Sequence, residues 1–264
     1  MKIALFPKES DKKLTDEVIK HLGLLGATVV IGGDHDPNTI DLIITMGGDG
    51  SILRADHHPI AEKAPLLGIN LGHLGFMADV QVSEMKECLH DLIKGAYTVE
   101  ERVMLEGKFP NLETFYAIND CVLHRARNPS LVQIEITVDG RLLNTFEADG
   151  IIVATPNGST AYSLAAGGPI LSPTLDAVVI TPICPHTISN RPIVLSPNKE
   201  IRLTYTSEKE PIECVADGIT HFEVASGETL SLRKSARTFK LVSLDRIDAF
   251  STLRHKLNWV GKLR

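Results

Sequence analysis

The sequence lacks an excess of positive charge, and this absence excludes one large class of partner. Lys and Arg number 27 against 33 Asp and Glu, which gives a formal net charge of −6. Nucleic-acid-binding domains are normally basic, so we expect no nucleic-acid partner. The hydrophobic share of 43% is too large for a disordered chain, and 264 residues predict one or two folded domains.

Long hydrophobic runs are also absent. The longest stretch without Asp, Glu, Lys or Arg runs from Gly150 to Leu175, and glycines, prolines and hydroxyl residues interrupt it throughout. Such a segment is unsuited to crossing a membrane. The apolar run at the N-terminus ends at Pro7 and is too short for the hydrophobic region of a signal peptide. We therefore expect a cytoplasmic protein without a membrane partner.

The cysteines are few and unpatterned. Cys88, Cys121, Cys184 and Cys214 form no CxxC pair and no spacing typical of zinc ligands. We expect four reduced thiols, as is usual in the cytosol.

The hydrophobic pattern predicts an α/β domain followed by a β-rich domain. Residues 1–96 alternate between short apolar runs and helical spacing, with Gly26 and Gly95 ending two of the helices. Residues 97–244 contain short β-rich runs, among them two that flank the hairpin signal Asp139-Gly140. We expect a mostly antiparallel, sandwich-like domain there, and a helical tail over 245–264 that packs back on the first domain.

Gly47-Gly48-Asp49-Gly50-Ser51 is the sharpest local motif. It stands where a predicted parallel strand ends and a helix begins, which is where α/β sheets bind ligands. Glycines allow backbone N–H groups to approach a polyphosphate, and one carboxylate can accept a proton or direct a metal ion. The alternative is a tight turn with Asp49 as a helix cap.

A second motif runs from Asp149 to Ser163, DGIIVATPNGSTAYS. A strand ends in a Pro/Gly loop, after which Ser159 or Thr160 is expected to cap a short helix through Ala165. Exposed amides and hydroxyls in such a loop suit a nucleotide, although an ordinary capped turn would have the same pattern. Asn119-Asp120 can bracket a ribose diol, but by itself this pair is more typical of a surface turn.

In this order along the whole chain, these motifs resemble the NAD kinase family. The resemblance includes the GGDGS loop, the Gly72–Phe76 loop, the Asn119-Asp120 pair and the long block DGIIVATPNGSTAYSLAAGGPI. It implies a Rossmann-like α/β domain with the GGDG loop and a β-rich second domain. It also implies transfer of a phosphoryl group from ATP, or from polyphosphate in some members, to the 2′-hydroxyl of the adenosine in NAD. A divalent metal, most simply Mg²⁺, and a homodimer or homotetramer belong to the same implication, with no protein residue assigned as a metal ligand.

The resemblance also assigns roles to residues of this chain. Asp49 would be the catalytic base or metal-directing carboxylate, Phe76 an apolar wall, Asp149 a polar contact to a base, and Asn119 with Asp120 the holders of a ribose. The remaining expected nucleotide contacts are Gly47, Gly48, Gly50, Arg54, Glu147, Asn157, Thr160, Ala161, Tyr162, Ser163, Leu164 and Ala165.

Three positions depart from the family pattern. Asp120 stands where Glu is usual, Glu147 where bacterial members often have Arg, and Asn157 where Thr is common. Two alternative functions stay open on the residues alone. One is a module that senses NAD or NADP without catalysis, which the intact Asp49 argues against. The other is a lipid kinase, which would share GGDG but would need an apolar acceptor cleft.

Overall fold

A computed structural model describes residues 1–8, 10–72, 75–78, 80–110, 114–244 and 249–259. The strands are β1 (Lys2–Phe6), β2 (Thr28–Ile31), β3 (Leu42–Met46), β4 (Leu66–Asn70), β5 (Val80–Gln81), β6 (Thr98–Arg102), β7 (Leu105–Lys108), β8 (Phe115–Ala117), β9 (Asp120–His124), β10 (Val132–Val138), β11 (Arg141–Ala148), β12 (Gly150–Ala154), β13 (Val178–Ile183), β14 (Ile193–Leu195), β15 (Ile201–Tyr205), β16 (Ile212–Ala216), β17 (Thr220–Val224), β18 (Thr229–Lys234) and β19 (Phe239–Ser243). The α-helices are α1 (Lys12–Leu24), α2 (Asp49–Asp56), α3 (Met85–Ile93), α4 (Tyr162–Ala165) and α5 (Ala249–Lys256), and short 3₁₀ turns occur at Pro37–Thr39, Pro59–Glu62 and Gly158–Thr160.

The chain divides into two compact units, at points that differ from those expected. One unit comprises Met1–Arg102 with Phe239–Arg264, and the other comprises Val103–Thr238. The expected boundary at residues 96/97 lies just before β6, and the one at 244/245 lies just after β19. The observed units divide after β6 and before β19 instead, because β6 and β19 pair with each other and β19 also pairs with β4. Pairing therefore places β6 and β19 in the sheet of the first unit.

The first unit is an α/β unit built on a largely parallel sheet in the order β2-β1-β3-β4-β19-β6, with β5 on β4. The central strands β1, β3 and β4 are apolar and almost entirely buried, as parallel strands covered on both faces require. Helix α1 packs Val18 and Leu22 into this core, and α3 packs Met85 and Leu89.

Local signals at the helix ends are partly correct. Gly26 and Gly95 follow α1 and α3 with φ of +83° and +75°, a conformation that glycine adopts without strain. The sequence also predicts Ser83 as the N-cap of this helix, but α3 begins after Glu84 and has no side-chain cap. In the tail, helical spacing predicts that Ile247, Phe250 and Leu253 share one face. Leu253 of α5 is buried whereas Phe250 is exposed, and Ile247 lies outside the described residues.

The second unit contains two antiparallel sheets, in the orders β11-β10-β15-β18-β7-β8 and β14-β13-β12-β9-β16-β17. Their inner faces share one core, to which β10 contributes Ile134 and Ile136 and β9 contributes Cys121 and Leu123. Strand β10 alternates buried and more accessible residues, as expected for a sheet with one covered face. The Asp139-Gly140 turn joins β10 to β11 as predicted, with positive φ at both residues.

The expected fold class is confirmed: a Rossmann-like α/β unit carries the GGDG loop, and a mostly antiparallel β-rich unit has two facing sheets. Among the helices of the described residues, none is long and apolar enough to cross a membrane.

Candidate active site

The GGDG loop connects the carboxyl end of β3 to α2. Gly47 follows Met46 with φ of +147°, and a Cβ placed there would lie 2.1 Å from the Ser51 Oγ. Both facts require glycine at this position. Gly48 is the N-cap residue, and Asp49 begins the helix. The reading of Asp49 as the helix cap is therefore wrong.

The Asp49 carboxylate instead binds a remote loop. The backbone N–H of Phe76 donates to Oδ2 at 2.8 Å, and those of Met77 and Ala78 donate to Oδ1 at 3.0 Å each. Gly75 precedes these donors, and a Cβ there would lie 2.1 Å from Oδ1. Asp49 is thus held in one orientation by three amides, and the chain must pass so close to it that only glycine fits.

Beside this loop is a cavity of about 580 Å³. Its described lining residues are Phe6, Pro7, Lys8, Met46, Gly47, Gly48, Gly50, Ser51, Arg54 and His58. The ionisable residues among them are Lys8, Arg54 and His58, all of them basic types. Arg54 is exposed, and its guanidinium lies 3.4 Å from the Ser51 Oγ. Basic side chains next to glycine amides and a helix N-terminus are typical of a phosphate site.

Phe76 is half-buried in the same unit, and the Lys256 Nζ lies 5.4 Å from the centre of its ring. This distance permits a cation–π contact. His73 and Leu74 of the Gly72–Phe76 loop lie outside the described residues.

In the second unit, Asn119 and Asp120 belong to a turn that Asp217 holds. The N–H groups of Ile118, Asn119 and Asp120 donate to the Asp217 carboxylate at 2.8, 2.7 and 3.2 Å. Thr155 holds the other side of the turn, because its N–H donates to the Asn119 carbonyl at 2.8 Å and its hydroxyl donates to the Ile118 carbonyl at 2.5 Å.

Asp120 and Asp217 are both buried, with 5% and 9% of their surface exposed. Burial, with a smaller contribution from the Asp217 charge, raises the pKa of Asp120 to about 7. Burial also raises the pKa of Asp217 to about 6, although the three N–H donors act in the opposite direction. Shifts of this kind are common at functional sites.

The long motif forms a 3₁₀ turn at Gly158–Thr160 and then α4. Neither hydroxyl caps this helix, contrary to expectation: the Ser159 Oγ donates to the Pro156 carbonyl at 2.6 Å and the Thr160 Oγ1 to the Asn157 carbonyl at 3.0 Å. Ala161 is the N-cap residue and has no side-chain cap bond.

The remaining residues of this motif differ in accessibility. Tyr162 and Ala165 are exposed, Ala161 and Leu164 are half-buried, and Asn157 is buried. Ser163 is buried, and its hydroxyl lies 2.9 Å from that of Thr181. The exposed and half-buried members are those that a ligand can reach.

Glu147 and Asp149 lie at the end of β11 and just after it. Glu147 is exposed. Its negative charge, opposite to that of the Arg in the family pattern, is therefore hydrated and has no cost of desolvation in this protein. The Asp149 carboxylate lies 2.7 Å from the Arg125 Nε. The predicted contact of Asp149 to a base would therefore be made by a carboxylate that already has a cationic partner.

The predicted site residues fall into two groups. Gly47, Gly48, Asp49, Gly50, Arg54 and Phe76 are in the first unit, and the others are in the second. Sequence reasoning missed Lys8, Thr155 and the bonding of Asp217. Asp217-Gly218 is a further motif that carries the family resemblance, but nothing local indicates that Asp217 binds residues about a hundred positions earlier.

Comparison with known proteins identifies the family of this chain. A family model described as "ATP-NAD kinase N-terminal domain" matches residues 6–97, and a second, described as "ATP-NAD kinase C-terminal domain", matches residues 118–244. The NAD kinase of Protochlamydia amoebophila is 48% identical over 99% of this chain and 99% of its own length. The chain belongs to the NAD kinase family. The family identified from the motifs, and the enzyme class it implies, a phosphotransferase, are thereby confirmed.

Other NAD kinases are similar along nearly the whole chain. The NAD kinase of Geotalea daltonii is 37% identical over 98% of each chain. Among solved structures, yeast NADH kinase complexed with NADH has a TM-score of 0.88 and 26% identity, covering 100% of this chain and 89% of that one. An NAD kinase from Archaeoglobus fulgidus in complex with ATP has a TM-score of 0.81 and 25% identity, covering 99% and 100%.

Proposed function

We propose that this NAD kinase family member phosphorylates the 2′-hydroxyl of the adenosine in NAD and uses ATP as the donor. The observation that carries the proposal is the Asp49 carboxylate, held by three backbone amides in the loop beside a cavity with basic side chains. The similar solved structures, one with NADH and one with ATP, support both ligands.

The phosphates of the donor would bind at the GGDG loop. Gly48 and Gly50 are exposed and present backbone at the start of α2, where the helix dipole favours anions. Lys8 and Arg54 supply positive charge in the same cavity. These groups would stabilise the negative charge of the transferring phosphoryl group, which is the main task of a protein in this chemistry.

Asp49 would accept the proton of the attacking hydroxyl. A carboxylate oxygen has about two acceptor positions, and among the residues that the structure describes Oδ2 accepts the N–H of Phe76 alone. In the reaction, the 2′-oxygen forms a bond to the γ-phosphorus and the bond from phosphorus to the bridging oxygen of ADP breaks. The hydroxyl proton moves to Asp49, and the amides keep the carboxylate oriented during this transfer.

The second unit would bind the dinucleotide. Asn119 and Asp120 would hold a ribose, and the accessible residues of the loop that ends in α4, Thr160, Ala161, Tyr162, Leu164 and Ala165, would contact the rest of NAD. Asn157 and Ser163 are buried, so they would shape this loop from beneath.

A divalent metal fits this site only with the help of substrate. Within the described residues, no group of three or more His, Cys, Asp and Glu is placed to hold a metal ion, and Asp49 already accepts three N–H bonds. Mg²⁺ typically binds one or two carboxylates together with substrate phosphates and water. Since the remaining acceptor position of Asp49 is assigned to the proton, the donor phosphates and water would hold the metal, and the metal would supply charge neutralisation.

Cytoplasmic location, a homodimer or homotetramer, and polyphosphate as the alternative donor to ATP are part of the same proposal. They rest on the family resemblance and the composition. The comparisons favour the kinase over the sensor and the lipid kinase, because the similar proteins named above are NAD or NADH kinases.

Purified protein with NAD, Mg²⁺ and either ATP or polyphosphate tests the proposal. An NADP-specific dehydrogenase detects the product, and phosphorus NMR distinguishes phosphorylation at the 2′ and 3′ positions. We expect 2′-phosphorylated product with ATP. Binding of NAD without turnover of either donor would support the sensor instead, and a product phosphorylated elsewhere would overturn the assignment of the acceptor.

A further inference from the structure

Two hairpin turns of the second unit contain the same Asp-Gly dipeptide with similar φ values, but they differ in loop length and in surroundings. Asp139-Gly140 has φ of +49° and +73°, and Asp217-Gly218 has φ of +53° and +68°. Asp and Gly are the residues that such turns favour. The Asp139 carboxylate is exposed and lies 2.5 Å from the Lys199 Nζ, so a turn of this type does not itself need a buried carboxylate.

The Asp217 carboxylate, in contrast, is buried and turned toward another segment of the chain. Oδ1 accepts the N–H groups of Asn119 and Asp120, and Oδ2 accepts that of Ile118. Removing a carboxylate from water is unfavourable unless hydrogen bonds compensate for the lost hydration. Three consecutive amides aimed at one carboxylate provide part of that compensation and restrain the backbone of all three residues.

The same turn has no room to move on its other side. A Cβ on Gly158 would lie 2.0 Å from the Asn119 carbonyl oxygen, and Thr155 donates to the carbonyls of both Ile118 and Asn119. The 118–120 turn is therefore confined between Asp217 and the segment that leads to α4. The Asn119 side chain, which is half-buried, extends from the confined backbone.

We propose that Asp217 is a positioning residue for the nucleotide, because its carboxylate holds the 118–120 turn in the conformation that presents Asn119 and Asp120 to a ribose. This inference rests on the proposed function, in which that ribose belongs to NAD. Binding groups need to be held within a fraction of an ångström of their working position. The three hydrogen bonds from backbone amides to Asp217 hold the turn in position, and loss of the carboxylate would remove this restraint.

The substitution Asp217→Asn tests the inference in the full-length enzyme. Asn tolerates positive φ, so the hairpin itself is preserved. Its amide group has one acceptor oxygen and one NH₂, so at least one of the three backbone donors then faces another donor. Asp139→Asn makes the same chemical change in the matching exposed turn and is the control.

We expect Asp217→Asn to raise the KM and the calorimetric Kd for NAD about tenfold or more, which corresponds to about 1.4 kcal/mol. The KM for ATP should change less than about twofold, and kcat less than KM. Asp139→Asn should leave all of these constants within about twofold of the unmodified enzyme. A change that is equal for NAD and ATP, or an NAD affinity that stays within about twofold, would overturn the positioning role.

Two further measurements keep the inference separate from folding and from the proposed function. Amide hydrogen exchange on the unmodified, ligand-free enzyme should show slow exchange at Ile118, Asn119 and Asp120. Fast exchange there that becomes slow only with NAD would mean that the ligand, and not Asp217, orders the turn. If the unmodified enzyme produces no NADP, the proposed function fails, yet the calorimetric comparison of the two Asp→Asn variants still decides the role of Asp217.

Discussion

Replacing Asp49 by Asn separates the two tasks that the structure gives this carboxylate. The side chain keeps its shape but loses its charge and one acceptor oxygen. If the amide oxygen takes the position of Oδ1, it still accepts from Met77 and Ala78, whereas the NH₂ group faces the Phe76 N–H. One hydrogen bond to a charged group is lost, at about 1.5–3 kcal/mol.

The same change removes the proposed proton acceptor. Loss of a general base typically lowers a rate by about 10²–10⁴-fold, so we expect kcat to fall by this amount at saturating NAD and ATP. We also expect the free energy of unfolding to fall by about 2 kcal/mol, since one loop contact is lost. Steady-state NADP formation measures the first effect and urea unfolding measures the second.

Asp36→Asn is a suitable control for this variant. Asp36 also accepts a backbone N–H, that of Asn38 at 2.9 Å, but it is exposed and is not among the lining residues of the cavity. The Asp36→Asn substitution should change neither kcat nor the free energy of unfolding appreciably. A kcat for Asp49→Asn above about one tenth of the original would refute the base role, and unchanged stability would refute the loop contacts.

Three further substitutions have distinct expected outcomes. Gly158→Ala places a Cβ 2.0 Å from the Asn119 carbonyl, so urea unfolding should show a loss of about 1–3 kcal/mol, whereas Gly23→Ala, in open space on α1, should cost nothing. Asp120→Asn should remove a pH dependence of stability: the pKa of about 7 in the folded state lies above the ordinary Asp value of 3.8, so ionisation of Asp120 destabilises the fold as pH rises from about 4 to 7. With about 1.4 kcal/mol for each pKa unit, the free energy of unfolding of the variant should exceed that of the unmodified protein by up to about 4 kcal/mol at pH 8. Curves of unfolding free energy against pH that run parallel for the two proteins would contradict this. Glu147→Arg should strengthen inhibition by NADP about fivefold at low salt and less at high salt, as expected for about 1 kcal/mol at an exposed position; salt-independent, equal inhibition constants would show that Glu147 is remote from the 2′-phosphate.

Much of the fold could be predicted because its signals are local. The apolar runs of β1, β3 and β4 and the glycines after α1 and α3 reflect the preferences of a few neighbouring residues. The Asp139-Gly140 turn is of the same kind, because its positive φ values need only Asp and Gly. The GGDG loop could also be placed, since a strand, a glycine turn and a helix follow one another directly.

The sequence predicts candidate site residues but not the hydrogen bonds that hold them. For Asp49 the sequence leaves two roles open, helix cap or catalytic base. The backbone N–H groups that its carboxylate actually binds, those of Phe76 to Ala78, are nearly thirty positions away. Asp217 matches the family pattern only as part of the Asp217-Gly218 pair. Its contact with residues 118–120 joins segments 97–99 positions apart, which no local pattern encodes.

The sequence by itself determined the alternation of elements, the family and the chemistry available at Asp49, because backbone preferences and motif order act over short distances. Tertiary structure alone decided that β19, which follows the β-rich segment in sequence, pairs with β4 and β6 of the first unit. This pairing sets the unit boundaries. It also decided which carboxylates are buried and which amides they bind. Burial and long-range hydrogen bonding depend on the whole packed chain, and for this reason the positions of Asp49, Asp120 and Asp217 could be known only from the folded structure.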